Sequence, residues 1–528
     1  MSSSLPWAAA SWPKRHAAAS PAGPAPTMTT SKSRESRCMR RFRYEPGRYT
    51  SGEYQMPLSI CAKRQYVMGR DPKSAGRRLK WIYSGSRQPE GSAVTQPTTD
   101  PRVRIANGPM TRMQIVAVAL CVIINMLDGF DALAIAFTAA TIANEFDLQP
   151  GALGAVFSAG AVGMAIGAFT LAPLGDYIGR RKMILGGLTL IGLGMAWTAA
   201  VSTLTPLIIL RFITGLGIGA MLASLNTLVA EYSSNKRKNL CISLLHMGYA
   251  LGGGVGGTVA ALLIGQYGWQ SVYLFGAAMS VVMLPLVYLA TPESVEFLIA
   301  RRPTNALGRV NDVLIRLRLQ TLEALPAARE VTKIGVQRML TPALLTTNLL
   351  VWFSFGMLML QTYFQLNWLP TIVTGFGYTV EQGIFAGVLS SIGAICGMFA
   401  MGVVSVPLGI RRSIGGFSFL TAVFMVAVSL SEASLMLFYT LVFVMTVFSA
   451  GTMAGMYALA ARVYPVEVRS SGVGWGIGVG RIGAIIAPLL AGYLLEQGLG
   501  GDTLFVLFAI PVLFPILAVT FIRSPYAR

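Results

Sequence analysis

Charge is scarce in this chain. Only 12% of its 528 residues are Asp, Glu, Lys or Arg, while 54% are hydrophobic and the mean hydropathy is +0.59. A soluble protein carries about a quarter charged residues. Histidine is almost missing, with His16 and His246 alone. The five cysteines, Cys38, Cys61, Cys121, Cys241 and Cys396, are scattered and form no CxxC. A His-built metal centre and a disulfide framework are therefore excluded as readings. The apolar part also offers no nucleophile-and-base constellation, which argues against an enzyme. What remains is a polytopic helical membrane protein, rich in the small and flexible residues (57 Gly, 25 Met) that closely packed membrane helices use.

The net charge of +20 does not signal nucleic acid. Residues 1–112 hold 20 Lys/Arg against 6 Asp/Glu, so +14 of it sits in one segment. That segment is rich in Ser, Pro, Ala and Arg and has no apolar h-region, so it is no secretory signal. Three readings stand for it: a disordered basic extension, a transit peptide, or an upstream start-site error with the start near Met110 or Met113. No chemistry is assigned to it.

Apolar segments of spanning length recur from residue 114 onward, at about 114–142, 152–172, 183–201, 205–230, 241–265 and 269–290. After a polar stretch, six more follow at 343–373, 384–405, 413–430, 435–460, 472–495 and 503–522. The predicted fold is all-α, with twelve spans in two six-helix halves, 113–290 and 343–523. They are joined by a central cytoplasmic loop, 291–342, and followed by a tail, 524–528. Loop charge tests the count. One set of connections carries Arg180, Arg181 and Lys182, then Lys236–Lys238, the Arg-rich 301–338 region, Arg411 and Arg412, and Arg462 and Arg469. The other set ("ANEFDLQPG", "VSTLT", "GQYG", "VTGFGYTVEQG", "SEAS", "EQGLGGD") contains no Lys or Arg. This alternation holds through all twelve spans and predicts cytoplasmic termini. The halves also echo each other: "LAPLGDYIGRRKMI" (171–184) matches "VSVPLGIRRSI" (404–414), as in secondary transporters whose site lies between two related halves.

Against that background "NMLDGFDALAI" (125–135) stands out. It places Asp128 and Asp131 inside the first span, where each acid costs about 2.5–3.5 kcal/mol on insertion scales. Arg211 and Arg481 are the bases clearly inside the spans, while Glu231 and His246 lie near span ends. Depth matches Asp131 with Arg211, and Asp128 with Arg481 near mid-membrane. Two carboxylates at i, i+3 in low dielectric cannot both ionise cheaply, which suits one of them to carry a proton. Arginine keeps its proton and its planar fork suits a carboxylate. The reading is therefore of Asp128 and Asp131 as proton-coupling groups and Arg481 as a binder of an anionic substrate. Trp368, Gln365 and Asn367 of span seven are candidate substrate contacts; Gln361, Tyr363, Asn226 and Tyr457 are weaker ones. The four interior charges could instead be inter-helix ties only. Asp176, Arg180, Arg181, Arg211 and Glu231 form a candidate set of gating or structural charges.

"GDYIGRRK" (175–182) and "RFITGLGIG" (211–219) resemble signatures of the major facilitator superfamily. Within it, "LDGFDALAIAF" (127–137), "NWLPTI" (367–372) and "YPVEVRSSGVGWGIGVGRIGAIIAP" (464–488) are similar to the aromatic acid:proton symporters, over about 113–523. The resemblance implies inward symport of a benzoate- or hydroxybenzoate-like acid with a proton, no cofactor beyond the proton gradient, a monomer, and a bacterial inner-membrane location. By it, Asp128 and Asp131 match the family's proton-coupling acids, Arg481 its substrate-related arginine and Asp176 its loop acid. The sequence departs from the pattern at Ala172, at Val406 where the second-half loop often has Asp, and after Glu231. Other readings are a carrier for another organic anion or a sugar-like metabolite, or a membrane sensor. A drug exporter fits less well, because "GYALGGGVGG" lacks the usual proline.

Overall fold

The computed structural model describes residues 100–326, 342–431, 434–464 and 469–522. Expectations for residues 1–99, for Cys38, Cys61 and His16, and for the 524–528 tail lie outside the described residues. The described chain is helical: α1 Pro101–Asn107, α2 Arg112–Phe146, α3 Pro150–Ile178, α4 Arg180–Thr198, α5 Leu204–Tyr232, α6 Lys238–Tyr267, α7 Gln270–Ala290, α8 Val295–Arg301, α9 Ala306–Arg316, α10 Pro342–Gly375, α11 Val380–Leu408, α12 Ile410–Ser429, α13 Leu435–Val463, α14 Arg469–Glu496 and α15 Gly501–Phe521. Eleven of these are long and apolar enough to cross a membrane. The twelfth expected span is α4. Its 19 residues reach about 28 Å, but it opens on Arg180-Arg181-Lys182, which dilutes its apolar window. It packs along α5 and α7 as a full member of the first half.

Local signals set the helix ends. Thr111 and Thr379 start α2 and α11 with capping boxes, each hydroxyl accepting from the backbone N–H of the third residue, Gln114 and Gln382. The echoed turns end α3 and α11 on Gly179 (φ +109°) and Gly409 (φ +80°), left-handed conformations that glycine adopts without a Cβ penalty. Sequence echo and backbone echo coincide there, as expected of two halves built from one plan.

Two differences from expectation concern the face that carries the basic loops, called here the basic end. The polar 291–342 stretch contains α8 and α9. In α9, Val310, Val313 and Leu314 are buried while Asp312, Ile315 and Arg316 are exposed, so an amphipathic pattern was hidden by a polar average. The extension read through residue 112 is also not unstructured at its end. Asp100 caps α1 and pairs with Arg102 at 2.6 Å, and Arg102 reaches Glu296 of α8 at 3.3 Å. The Asn235 amide donates to the Ala106 carbonyl at 2.7 Å. Helix α1 is thus docked on the first half.

The two halves meet through α2 with α10, α3 with α14, and α6 with α11. Many of these contacts lie toward the other, base-free end. Ser158 donates to the Ile485 carbonyl at 2.8 Å, and Trp368 Nε1 donates to the Pro488 carbonyl at 3.2 Å. A Cβ at Gly154 would sit 2.6 Å from the Pro488 carbonyl oxygen, and one at Gly492 2.6 Å from that of Pro150, so glycine lets these backbones close on each other. Nearer the basic end, a Cβ at Gly478 would lie 3.1 Å from the Phe169 ring, and Phe169 itself stays 63% exposed.

Candidate substrate and proton site

The site is built where α2 packs on α6. Gly248 and Gly252 of α6 face the α2 backbone at Val122 and Met126, one turn apart, and Gly256 lies under the Phe130 ring. This small-residue row brings the helices into backbone contact. Gly129, between the two aspartates, completes it: a Cβ there would collide with the Tyr249 carbonyl. The glycine of "LDGFD" is what lets Tyr249 approach both acids.

Asp131 and Arg211 meet. Arg211 Nη1 donates to Asp131 Oδ1 at 3.0 Å and Nη2 to the Asp131 backbone carbonyl at 3.0 Å, with both residues buried. Two parallel donors on one residue fix the guanidinium plane. Asp128, also buried, is different: neither of its carboxylate oxygens has a hydrogen-bond partner among the described residues. The i, i+3 acids therefore have separate settings, one neutralised by a fixed cation and one bare.

Arg481 of α14 is half-buried and lies across the interface from the first half. Its Nη1 donates to the Tyr363 hydroxyl at 2.8 Å and contacts Met164 Sδ at 3.6 Å. Nε and Nη2 donate to no protein acceptor among the described residues. Tyr249, Tyr363 and Tyr457 all lie within electrostatic range of this guanidinium, and Tyr249 is also in range of Asp128 and Asp131. A cavity of about 20 Å³ lies at the junction, lined by Leu133, Phe157, Met164, Arg211, Tyr249, Tyr363 and Asn367 among others. That volume holds about one water.

Of the predicted substrate contacts, Asn367 lines this cavity and donates to the Tyr363 carbonyl at 2.8 Å. Arg481, Trp368 and Gln365 are not among its lining residues, though Arg481 bonds to Tyr363, which is. Trp368 is fully buried, edge-on to Phe157 (centroids 5.3 Å apart), with its indole N–H committed to Pro488. It belongs to the closure between halves. Gln365 is tied into the core of the second half, donating to Ser390 Oγ (3.0 Å) and Thr446 Oγ1 (2.5 Å) and accepting from Gln361 Nε2 (2.8 Å). Tyr249 was not singled out from the sequence; the signal available was an aromatic heading the glycine row "GYALGGGVGG".

The charges of the basic end form a cluster within the first half. Arg180 bridges Asp176 (3.0 Å) and Glu231 (3.7 Å). The Arg181 amide donates to Glu293 Oε1 at 3.2 Å, and its guanidinium lies over the Tyr288 ring. Arg301 Nε donates to the Asp176 carbonyl at 2.9 Å. Asp176 is largely exposed, and Val406, its counterpart in the second half, is 83% exposed. Among the described residues no group of three or more His, Cys, Asp or Glu could hold a metal ion.

Twelve membrane-length helices in two related halves, with buried charge at their junction, define a multi-pass transporter. The chain belongs to the Major Facilitator Superfamily, whose sequence profile matches residues 118–430 and 351–528. Within it the chain groups with aromatic acid transporters. It is 32% identical to the gallate transporter of Pseudomonas putida over 430 residues, 79% of this chain and 93% of that one. It is 30% identical to the 4-hydroxybenzoate transporter PcaK of the same organism over 410 residues, 76% and 91% of the two chains. Among solved structures, the inward-open xylose transporter XylE from E. coli superposes with a TM-score of 0.60 at 14% identity, over 78% of this chain and 96% of that one. That likeness concerns the fold.

Proposed function

We propose that the protein imports a small aromatic carboxylate, of hydroxybenzoate or gallate type, together with a proton, by alternating access. The single observation that carries this is the unequal treatment of the two first-span acids: Asp131 held by Arg211, and Asp128 buried without a hydrogen-bond partner among the described residues. An unpaired buried carboxylate is costly when charged, so it takes up a proton when the cavity is shut and returns it when water enters. Arg481 receives the substrate carboxylate through its free N–H groups, and the Tyr249, Tyr363 and Tyr457 rings provide aromatic surface for the substrate ring. The cavity, at about 20 Å³, has room for about one water, so substrate entry requires the halves to separate at the basic end or at the base-free end. The names of the relatives support the substrate class. The alternating loop charge supports cytoplasmic termini in a bacterial inner membrane.

The deciding experiment is uptake of labelled 4-hydroxybenzoate, gallate and benzoate into proteoliposomes with and without an imposed proton gradient. Gradient-driven accumulation of at least one acid is expected. Equal uptake without the gradient would refute symport, and uptake of none of the acids would refute the substrate class.

A further inference from the structure

Arg112, Arg316 and Arg318 stand together with Thr111 and Met113 around a second cavity, of about 410 Å³. It is far roomier than the interior one and shares no residue with it. All three arginines are exposed, and none makes an ion pair among the described residues. Three guanidinium groups around one hollow, with no acid paired to them among the described residues, set up a positive potential that draws an anion. The hollow is built on fixed backbone. Arg112 is the first residue of α2, held by the Thr111–Gln114 capping box. Arg318 sits at φ +57° in the turn that closes α9, where the Leu317, Arg318 and Leu319 amides donate to the carbonyls of Val313, Ile315 and Leu314. Below that turn, Val310, Val313, Leu314 and Leu317 join the same apolar core as Met110 and Met113.

Depth identifies the anion. Arg112 opens a 35-residue helix about 52 Å long, more than a hydrocarbon core of about 30 Å takes up, so the hollow lies outside that core on the side of the basic end. Exposed Ile115 and Val116 follow on α2, and exposed Ile315 flanks Arg316 on α9. Cationic heads with apolar neighbours suit a molecule that carries a phosphate on an acyl body. We propose that this hollow binds the phosphate headgroup of an anionic phospholipid, joining the first span to the amphipathic linker helix.

Native mass spectrometry of the full-length protein in detergent, supplied with phosphatidylglycerol or phosphatidylcholine, tests the proposal. The expected result is retention of one more phosphatidylglycerol by the unmodified protein and by R112K/R316K/R318K than by R112Q/R316Q/R318Q, with no difference for phosphatidylcholine. Should the triple Gln variant fail to purify, R316Q/R318Q, which leaves the spans untouched, is expected to lose the same lipid. Equal phosphatidylglycerol retention by the Gln and unmodified proteins would overturn the site. Displacement of that lipid by millimolar inorganic phosphate would assign the hollow to a soluble anion and overturn the lipid.

Discussion

At the scale of single residues, the central fact is that two aspartates three positions apart have different surroundings. Asp131 and Arg211 are a buried pair, and losing one partner strands the other charge. Arg211→Ala should cost about 3–5 kcal/mol of stability, read from unfolding in detergent, and Asp131→Ala with Arg211→Ala together should cost less than the sum of the single losses. Asp128 has no such tie. Asp128→Asn should therefore leave the fold intact and substrate counterflow measurable while abolishing gradient-driven accumulation in proteoliposomes. Normal accumulation by Asp128→Asn would move the proton to another group. Arg481→Lys keeps the charge but loses the fork, and should raise the KM for uptake tenfold or more, the worth of one charge-assisted bond at about 1.5–3 kcal/mol. The pairing of Asp131 with Arg211 was legible in the sequence, because charge inside an apolar run is costly and depth along a helix is simple arithmetic; the expected placing of Asp128 and Arg481 around one central cavity was not matched, since neither lines it. Depth does not give azimuth, however. Asn367 and Trp368 are neighbours separated by about 100° around the helix, and only the first lines the cavity, while Trp368 turns into the contact with Phe157 and Pro488.

At the scale of elements, the spans were readable to within a few residues because each is a long apolar run between polar turns. Helices α8 and α9 were not, because their apolar residues alternate with charge and vanish in an average over 291–342. Helix α1 escaped notice for a related reason: seven residues capped by Asp100 gain their stability from Arg102–Glu296 and the Asn235 contact, neither of which is local in sequence. The pairing of α3 with α14 gives an element-level prediction. Gly154→Val puts bulk against the Pro488 carbonyl and should hold the base-free end apart. The Ser158 hydroxyl donates to the Ile485 carbonyl across this contact, and the thiol of Ser158→Cys should then react with an impermeant maleimide from that side in the Gly154→Val background and not without it. Labelling that is indifferent to Gly154→Val would mean that the contact is not the closure.

At the scale of the whole molecule, the loop-charge alternation and the paired Gly179 and Gly409 turns describe one half-unit used twice. The orientation prediction is direct: alkaline phosphatase fused after Gly268 should be active and the same reporter at the C-terminus inactive; the reverse result would invert the bundle. The closure at the base-free end carries a further meaning for how the transporter responds to its surroundings. Its backbone contacts, at Gly154, Pro488, Gly492 and Pro150, join parts that carry no charge, while the Glu496 carboxylate of α14 lies against Gly151 of α3 at the rim of the same seam. The uncharged part of the seal is indifferent to pH and salt. Acid sensitivity of the transport cycle therefore does not by itself identify the carboxylates of the first span, and Glu496→Gln is the control that separates the door from the cargo proton.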